Sequence, residues 1–190
     1  MIKRTMILGL VVAMTAMMAA CGDDDDNGGG GGGGGGATFG EANFEVTGDM
    51  EESVVDGAAY FETLDLSDVS GTPDYQFQIT IAQSVPVGGD DDPYFQFSYA
   101  TDNGDFRPEP GDYEVGFVPF AETWQGLLER EIGEDGLVAH EDGDTRLTIE
   151  SASASEIVGT FELDLVEAVT EEGTEATATG SFRAVAGSDF

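Results

Sequence analysis

Large apolar side chains occupy every second position in several segments of this chain, and the clearest case is DYQFQITIAQS at residues 74–84. A period of two is the spacing of a β-strand that buries one face. The same alternation recurs at residues 42–46, 59–64, 95–99, 113–117, 146–150, 156–166 and 174–185. Turn residues separate these segments at intervals of about ten residues. The pattern predicts an all-β fold, an antiparallel β-sandwich or partly closed barrel of about eight to nine strands.

One segment has the period of a helix instead. In residues 121–132 the apolar side chains Trp124, Leu127, Leu128 and Ile132 fall at positions i, i+3, i+4 and i+8. Residues at this spacing share one face of an α-helix. We therefore expect one short amphipathic helix that packs on one end of the sheets.

The first 20 residues lack the strand pattern. Lys3 and Arg4 precede an uncharged, largely apolar run, TMILGLVVAMTAMMAA, at residues 5–20. A positive start, an apolar middle and a small-residue end are the features of a secretory signal peptide. The run is shorter than the roughly 20 apolar residues that a transmembrane helix needs. We therefore interpret residues 1–20 as a cleaved signal.

The end of this run, Met18-Ala19-Ala20-Cys21, resembles the lipobox of bacterial lipoprotein signals. The resemblance implies cleavage before Cys21 and lipidation of Cys21, with a diacylglycerol thioether on its sulfur and a further acyl chain, such as palmitate, on its amino group. More than one chain gives stable anchoring, at about 0.8 kcal/mol per buried CH₂. The aspartates that follow resemble a signal that sends some lipoproteins to the surface of diderm bacteria. The resemblance therefore implies a lipid-anchored, extracytoplasmic protein at the outer membrane or cell surface.

Residues 22–36 read GDDDDNGGGGGGGGG and contain no apolar side chain to bury. Such a segment is expected to be a disordered linker, with a typical reach of roughly 20 Å. The predicted organisation is thus a signal peptide at residues 1–20, a lipidated cysteine and Asp/Gly-rich linker at 21–37, and a single β-sandwich domain at 38–190.

Charge narrows the classes of partner. After residue 20 the chain holds 39 acidic residues against four arginines, a formal charge of −35, and it contains no lysine there. Such a field repels nucleic acid and anionic lipid, so neither is expected as a direct partner. A protein or glycan partner stays open, and the membrane is expected to bind through the acyl chains on Cys21.

Catalytic motifs are absent from the sequence. His140 is the only histidine and lies in an acidic turn, AHEDGD, while the only cysteine is the predicted lipidation site. No GxSxG-type nucleophile elbow is present. We therefore predict no catalytic residues and no enzyme activity.

Acidic turns are the remaining candidates for chemistry, because Ca²⁺ prefers carboxylate and carbonyl oxygens on glycine-containing turns. None of these turns completes a helix-loop-helix calcium motif, and short Asp/Asn/Gly runs between strands are usually turns. No cofactor is therefore expected, with a surface calcium site as an alternative. Its weak candidate ligands are Asp91, Asp102, Asp105, Asp142 and Asp144.

The C-terminal segments around LTI at 147–149, IVGTF at 157–161 and TGSF at 179–182 resemble a hairpin of uncharacterised all-β bacterial lipoprotein domains. The resemblance implies a β-sandwich or barrel without assigned catalytic residues. The function expected first is a non-catalytic binding or structural module. The alternatives are a small-ligand carrier with a barrel cavity and a divalent-cation-binding surface domain. Tyr60, Tyr94 and Trp124 would serve a glycan-stacking surface if they were exposed.

Overall fold

The computed structural model describes residues 39–49, 52–69, 72–83, 94–116, 123–129, 136–140, 144–167 and 175–187. The predicted signal peptide, Cys21 and the linker lie outside these residues. Ten β-strands are described, and no helix is among them. The strands are β1 (Gly40–Gly48), β2 (Glu52–Asp65), β3 (Tyr75–Ala82), β4 (Tyr94–Thr101), β5 (Gly111–Gly116), β6 (Trp124–Glu129), β7 (Leu137–Ala139), β8 (Arg146–Ala152), β9 (Glu156–Glu167) and β10 (Glu175–Ala186).

Nine of these strands form a closed ring in the order β1-β2-β3-β4-β6-β5-β8-β9-β10, and β10 returns to β1. Strand β7 bridges β6 and β9. Most pairs are antiparallel, but β5 pairs with β6 and β10 with β2 in parallel. The all-β prediction is confirmed. Of the two predicted architectures, the barrel is correct, although it is fully closed and not partly closed. The predicted sandwich is wrong, and so is the purely antiparallel sheet.

The helix predicted at residues 121–132 is wrong, because residues 124–129 form strand β6. Trp124, Gly126 and Leu128 are all buried, at the period of two that a strand requires. The spacing of the apolar residues in this segment fits a helix equally well. A Cβ at Gly126 would lie 3.0 Å from Cγ1 of Val115 and 3.5 Å from Cδ1 of Leu163, so the strand uses a residue without a side chain there. Pairing with β4 and β7 overrides the local pattern.

Aromatic side chains fill the interior of the barrel. Phe161 on β9 lies 5.1 Å from Phe95 and 5.2 Å from Phe97 on β4, between ring centroids. Phe44 on β1 reaches the same cluster, at 5.0 Å from Phe95. These strands are not neighbours in the ring, so the contacts cross the barrel, and tilted and edge-on rings at this distance are favourable.

Two glycines on β9 and β10 make room for the rings of Phe161 and Phe182. Phe161 pairs with Gly180 across the strands, and Phe182 pairs with Gly159. A Cβ at Gly159 would come within 2.8 Å of the Phe182 ring, and one at Gly180 within 2.6 Å of Cε1 of Phe161. Each ring therefore lies over the bare backbone of its partner strand, which is the arrangement called aromatic rescue of glycine.

Candidate functional site

A cleft of about 470 Å³ lies beside the β9–β10 hairpin, where β1 ends and β10 begins. The alternation along β9 and β10 turns Asp164 and Thr177 away from the core residues between them. His140, directly after β7, joins them because its backbone N–H donates to the carbonyl oxygen of Asp164 at 2.9 Å. The lining residues are Thr47, Gly48, His140, Asp164, Leu165, Val166, Glu175, Ala176 and Thr177.

Both carboxylate oxygens of Asp164 already accept hydrogen bonds. The backbone N–H of Asp144 donates to Oδ2 at 3.0 Å, and the hydroxyl of Thr177 donates to Oδ1 at 3.3 Å. The Thr177 hydroxyl is thus directed at a carboxylate and not at His140. This geometry ties three chain segments together, and it does not assemble a nucleophile with a base and an orienting acid.

A second pair closes the rim of the same cleft. The backbone N–H of Asp49 donates to the carbonyl oxygen of Glu175 at 2.9 Å, and the N–H of Glu175 donates to Oδ2 of Asp49 at 3.2 Å. The Asp49 carboxylate therefore holds the end of β1 against the start of β10. Its role in the described structure is to close this corner of the barrel.

The calcium candidates are not brought together. Asp91 and Asp142 lie outside the described residues. Asp102 and Asp105 flank Asn103, whose Oδ1 accepts the N–H of Asp105 at 3.1 Å, while Oδ1 of Asp102 accepts the N–H of Asp74 at 3.4 Å. The bond from Asp105 to Asn103 makes an Asx turn, and the bond from Asp74 to Asp102 joins this turn to the start of β3. Asp144 is separate from both and donates its backbone N–H to Oδ2 of Asp164. The described part of the chain contains no group of three or more metal-ligating side chains.

The Asx turn places Phe106 and Arg107 at the opposite end of the barrel. The Phe106 ring stacks on Tyr99 at 4.7 Å and meets Phe77 edge-on at 5.5 Å. The Arg107 guanidinium lies 5.2 Å from the centroid of Phe61 and 5.7 Å from that of Phe77. A cation over aromatic faces is favourable, so this turn closes the barrel with an aromatic plug and a charged cap.

A smaller cleft of about 250 Å³ opens beside this cap, between β2 and the end of β10. Glu62 lies on its wall, and burial raises the pKa of the Glu62 carboxyl above its usual value. The hydroxyl of Thr63 is buried without a hydrogen-bond partner. The sequence pattern did not indicate Phe106, Arg107 or Glu62; the one available signal was the scarcity of arginine in an acidic chain.

The three aromatic residues considered for glycan stacking are buried. Tyr60 is 7 % exposed, Tyr94 3 % and Trp124 2 %. The Trp124 ring contacts Phe77 at 6.0 Å and Tyr99 at 5.6 Å, so its faces are used inside the barrel. None of these three side chains presents a free ring face for a sugar.

No protein-family model, curated protein or solved structure matches this chain. Within the described residues, no helix has the length and apolar character needed to cross a membrane. The predicted lipidation site, Cys21, lies outside the described residues.

Proposed function

We propose that this protein is a lipid-anchored, extracytoplasmic lipoprotein whose barrel is a non-catalytic binding or structural module at the outer membrane or cell surface. The filled barrel interior is the observation that carries this proposal. Phe77, Ile79, Phe95, Phe97 and Trp124 are each at most 2 % exposed and belong to one buried core cluster. A small apolar ligand would have to displace these side chains, so the interior favours a module that acts through its outer surface.

Support for the anchor comes from the N-terminal sequence. The uncharged run at residues 5–20 ends at Cys21, and four aspartates follow from residue 23. Two or more acyl chains on one residue are sufficient for stable membrane attachment. The formal charge of −35 on the rest of the chain opposes direct contact with anionic lipid. Attachment is therefore assigned to the acyl chains on Cys21 alone.

Support for a non-catalytic role comes from the larger cleft. Asp164 has both oxygens engaged, and the single histidine has no serine, threonine or cysteine nucleophile directed at it within the described residues. The residues that line the cleft provide hydrogen-bonding groups for a polar partner on the surface. A protein or glycan partner is the class that fits a closed, filled barrel.

The anchor can be tested in a diderm bacterium that processes lipoproteins. The full chain is expressed with an alkyne analogue of palmitate, and its Cys21→Ser variant is expressed in parallel. We expect label and membrane association for the natural sequence. In the Cys21→Ser variant a conventional cleavable signal replaces residues 1–20, and we expect neither label nor membrane association for it. Equal membrane association of this processed, unlabelled variant would contradict the lipid anchor and indicate a membrane-bound partner.

A further inference from the structure

Asn103 and Gly104 are neighbours in the Asx turn that follows β4. An asparagine before a glycine is chemically labile, because the backbone nitrogen of the glycine can attack the side-chain carbonyl carbon of the asparagine. Glycine has no Cβ to obstruct this approach. Asn103 is exposed and Gly104 is half-buried, so water reaches this pair in the folded protein.

The attacking nitrogen of this pair makes no hydrogen bond, in contrast to its neighbours in the turn. The N–H of Asn103 donates to the hydroxyl oxygen of Thr101 at 3.1 Å. The N–H of Phe106 donates to the backbone carbonyl oxygen of Asn103 at 3.0 Å. Within the described residues, no acceptor binds the N–H of Gly104. Its nitrogen can therefore lose a proton to solvent without the loss of a hydrogen bond.

The carbonyl group under attack is polarised by the turn. Oδ1 of Asn103 accepts the backbone N–H of Asp105 at 3.1 Å. When a nucleophile adds to Cγ, this oxygen gains negative charge, and a donor already directed at it stabilises the transition state. The Asx turn thus supplies for Asn103 the kind of oxyanion donor that acyl-transfer sites use.

The glycine cannot be exchanged without disturbing the turn. A Cβ at Gly104 would lie 2.9 Å from Cζ and 3.0 Å from Cε1 of Tyr75. Carbon atoms pack favourably at about 3.5–4.0 Å, so a larger residue would push against the Tyr75 ring. Asparagine at position 103 provides the acceptor that an Asx turn needs. The packing that shapes the turn therefore also keeps the labile pair together.

We propose that Asn103 is a site of spontaneous modification, at which the turn promotes conversion to aspartate and isoaspartate. The nitrogen of Gly104 bonds to Cγ of Asn103, the Cγ–Nδ2 bond breaks, and ammonia leaves with the proton of the Gly104 N–H. Water then opens the succinimide ring that has formed. Opening at Cγ gives aspartate, and opening at the backbone carbonyl carbon gives isoaspartate. Water is the only co-reactant.

Isoaspartate changes the end of the barrel that this turn closes. The main chain gains one carbon between residues 103 and 104, and the carbonyl group that accepts from Phe106 becomes a carboxylate outside the main chain. The Phe106 ring stacks on Tyr99 at 4.7 Å and lies 6.5 Å from Trp124, between centroids. These contacts depend on the position of the turn, so the modification should loosen them. This inference is independent of the proposed lipid anchor.

The three asparagines of the chain allow an internal comparison. Asn27 also precedes a glycine, whereas Asn43 precedes Phe44 on β1. The full chain is incubated at neutral pH, folded and in concentrated urea, and peptide mass spectrometry follows deamidation and isoaspartate at each site. In the folded chain we expect Asn103 to react at least about tenfold faster than Asn43, equivalent to about 1.4 kcal/mol of activation free energy.

The comparison with urea separates the turn from the dipeptide. We expect Asn103 to react faster in the folded chain than in urea, and Asn27 reports the direct effect of urea on an Asn-Gly pair. A rate at Asn103 that is lower in the folded chain than in urea, after correction by Asn27, would overturn the proposal. The turn would then protect the asparagine.

Fluorescence tests the structural consequence, because Trp124 is the only tryptophan. Its emission should shift as isoaspartate accumulates. Asn103→Ser keeps a hydroxyl acceptor for the turn and has no amide to lose, so its emission should not change with time. Asn103→Asp adds the charge without the extra carbon and should match the unmodified chain. An unchanged emission in the modified chain, or an equal shift in Asn103→Ser, would refute the loosening.

Discussion

Replacing Gly180 by alanine adds a methyl group where the structure has already placed an aromatic ring. The new Cβ would lie 2.6 Å from Cε1 of Phe161 and 2.8 Å from the carbonyl oxygen of Asn43. Carbon atoms pack favourably at about 3.5–4.0 Å, so the ring must move by about 1 Å. Phe95 and Phe97 restrict this movement, because their ring centroids lie 5.1 and 5.2 Å from that of Phe161.

The size of the effect follows from two opposing terms. Overpacking a filled core typically costs about 1–3 kcal/mol. Exchanging glycine for alanine restores about 0.4–1 kcal/mol by restricting the unfolded chain. We therefore expect Gly180→Ala to lower the free energy of unfolding by about 1–2 kcal/mol, and the midpoint of thermal unfolding by roughly 2–8 °C for a domain of this size.

Urea and thermal unfolding measure this change, with Ser181→Ala as the matched control. Ser181 is the exposed neighbour on the same strand, and its replacement should change stability by less than about 0.5 kcal/mol. In a Phe161→Leu background the cost of Gly180→Ala should fall, because the ring that collides is gone. An unchanged stability of Gly180→Ala, or the same cost with and without Phe161, would refute the reasoning.

Two further predictions concern charge. Burial raises the pKa of Glu62 in the folded state, so stability associated with this carboxyl falls as pH rises from its unfolded value of about 4.5 through the folded pKa. At pH 7, Glu62→Gln should raise the melting midpoint more than Glu45→Gln on the exposed wall does. This difference between the two variants should vanish below about pH 4. A difference that is the same at both pH values would contradict the burial effect. The natural chain has a formal charge of −33, and its melting midpoint should rise between 0.1 and 1 M NaCl because the Debye length falls from about 10 to about 3 Å. A midpoint that does not rise would argue against charge repulsion as a destabilising effect.

The alternation of side chains was enough to predict where most strands lie. The segments 74–84, 95–99, 156–166 and 174–185 overlap strands β3, β4, β9 and β10, with bounds that differ from the observed ones by at most two residues. The period-two signal is strong there because the interior face is filled by large apolar residues. Strand β6 was misassigned because Trp124 and Leu128 fit both periods and Leu127 fits the helical one. Strand β7 is too short, at three residues, to show a period.

The candidate site depended far more on long-range contacts. Asp164 and His140 are brought together by the pairing of β7 with β9, and Phe61, Phe77 and Arg107 by the turn that closes the barrel end. The alternation on β3 predicted a strand that buries one face, yet the glutamines on its other face are buried as well. A local pattern identifies which residues share a face, but it carries no information on what that face contacts.

The sequence by itself determined the strand content, the acidic charge, the acyl-anchor hypothesis and the shortage of catalytic groups, because each of these depends on residue type and local spacing. Only the tertiary structure decided that the sheet closes. Closure requires β1 to pair with both β2 and β10, and it joins residues such as Phe44 and Gly180 that are far apart in the chain. The same closure directs the aromatic rings inward against glycine backbones. Such complementarity of distant side chains is a property of packing, which no local period encodes.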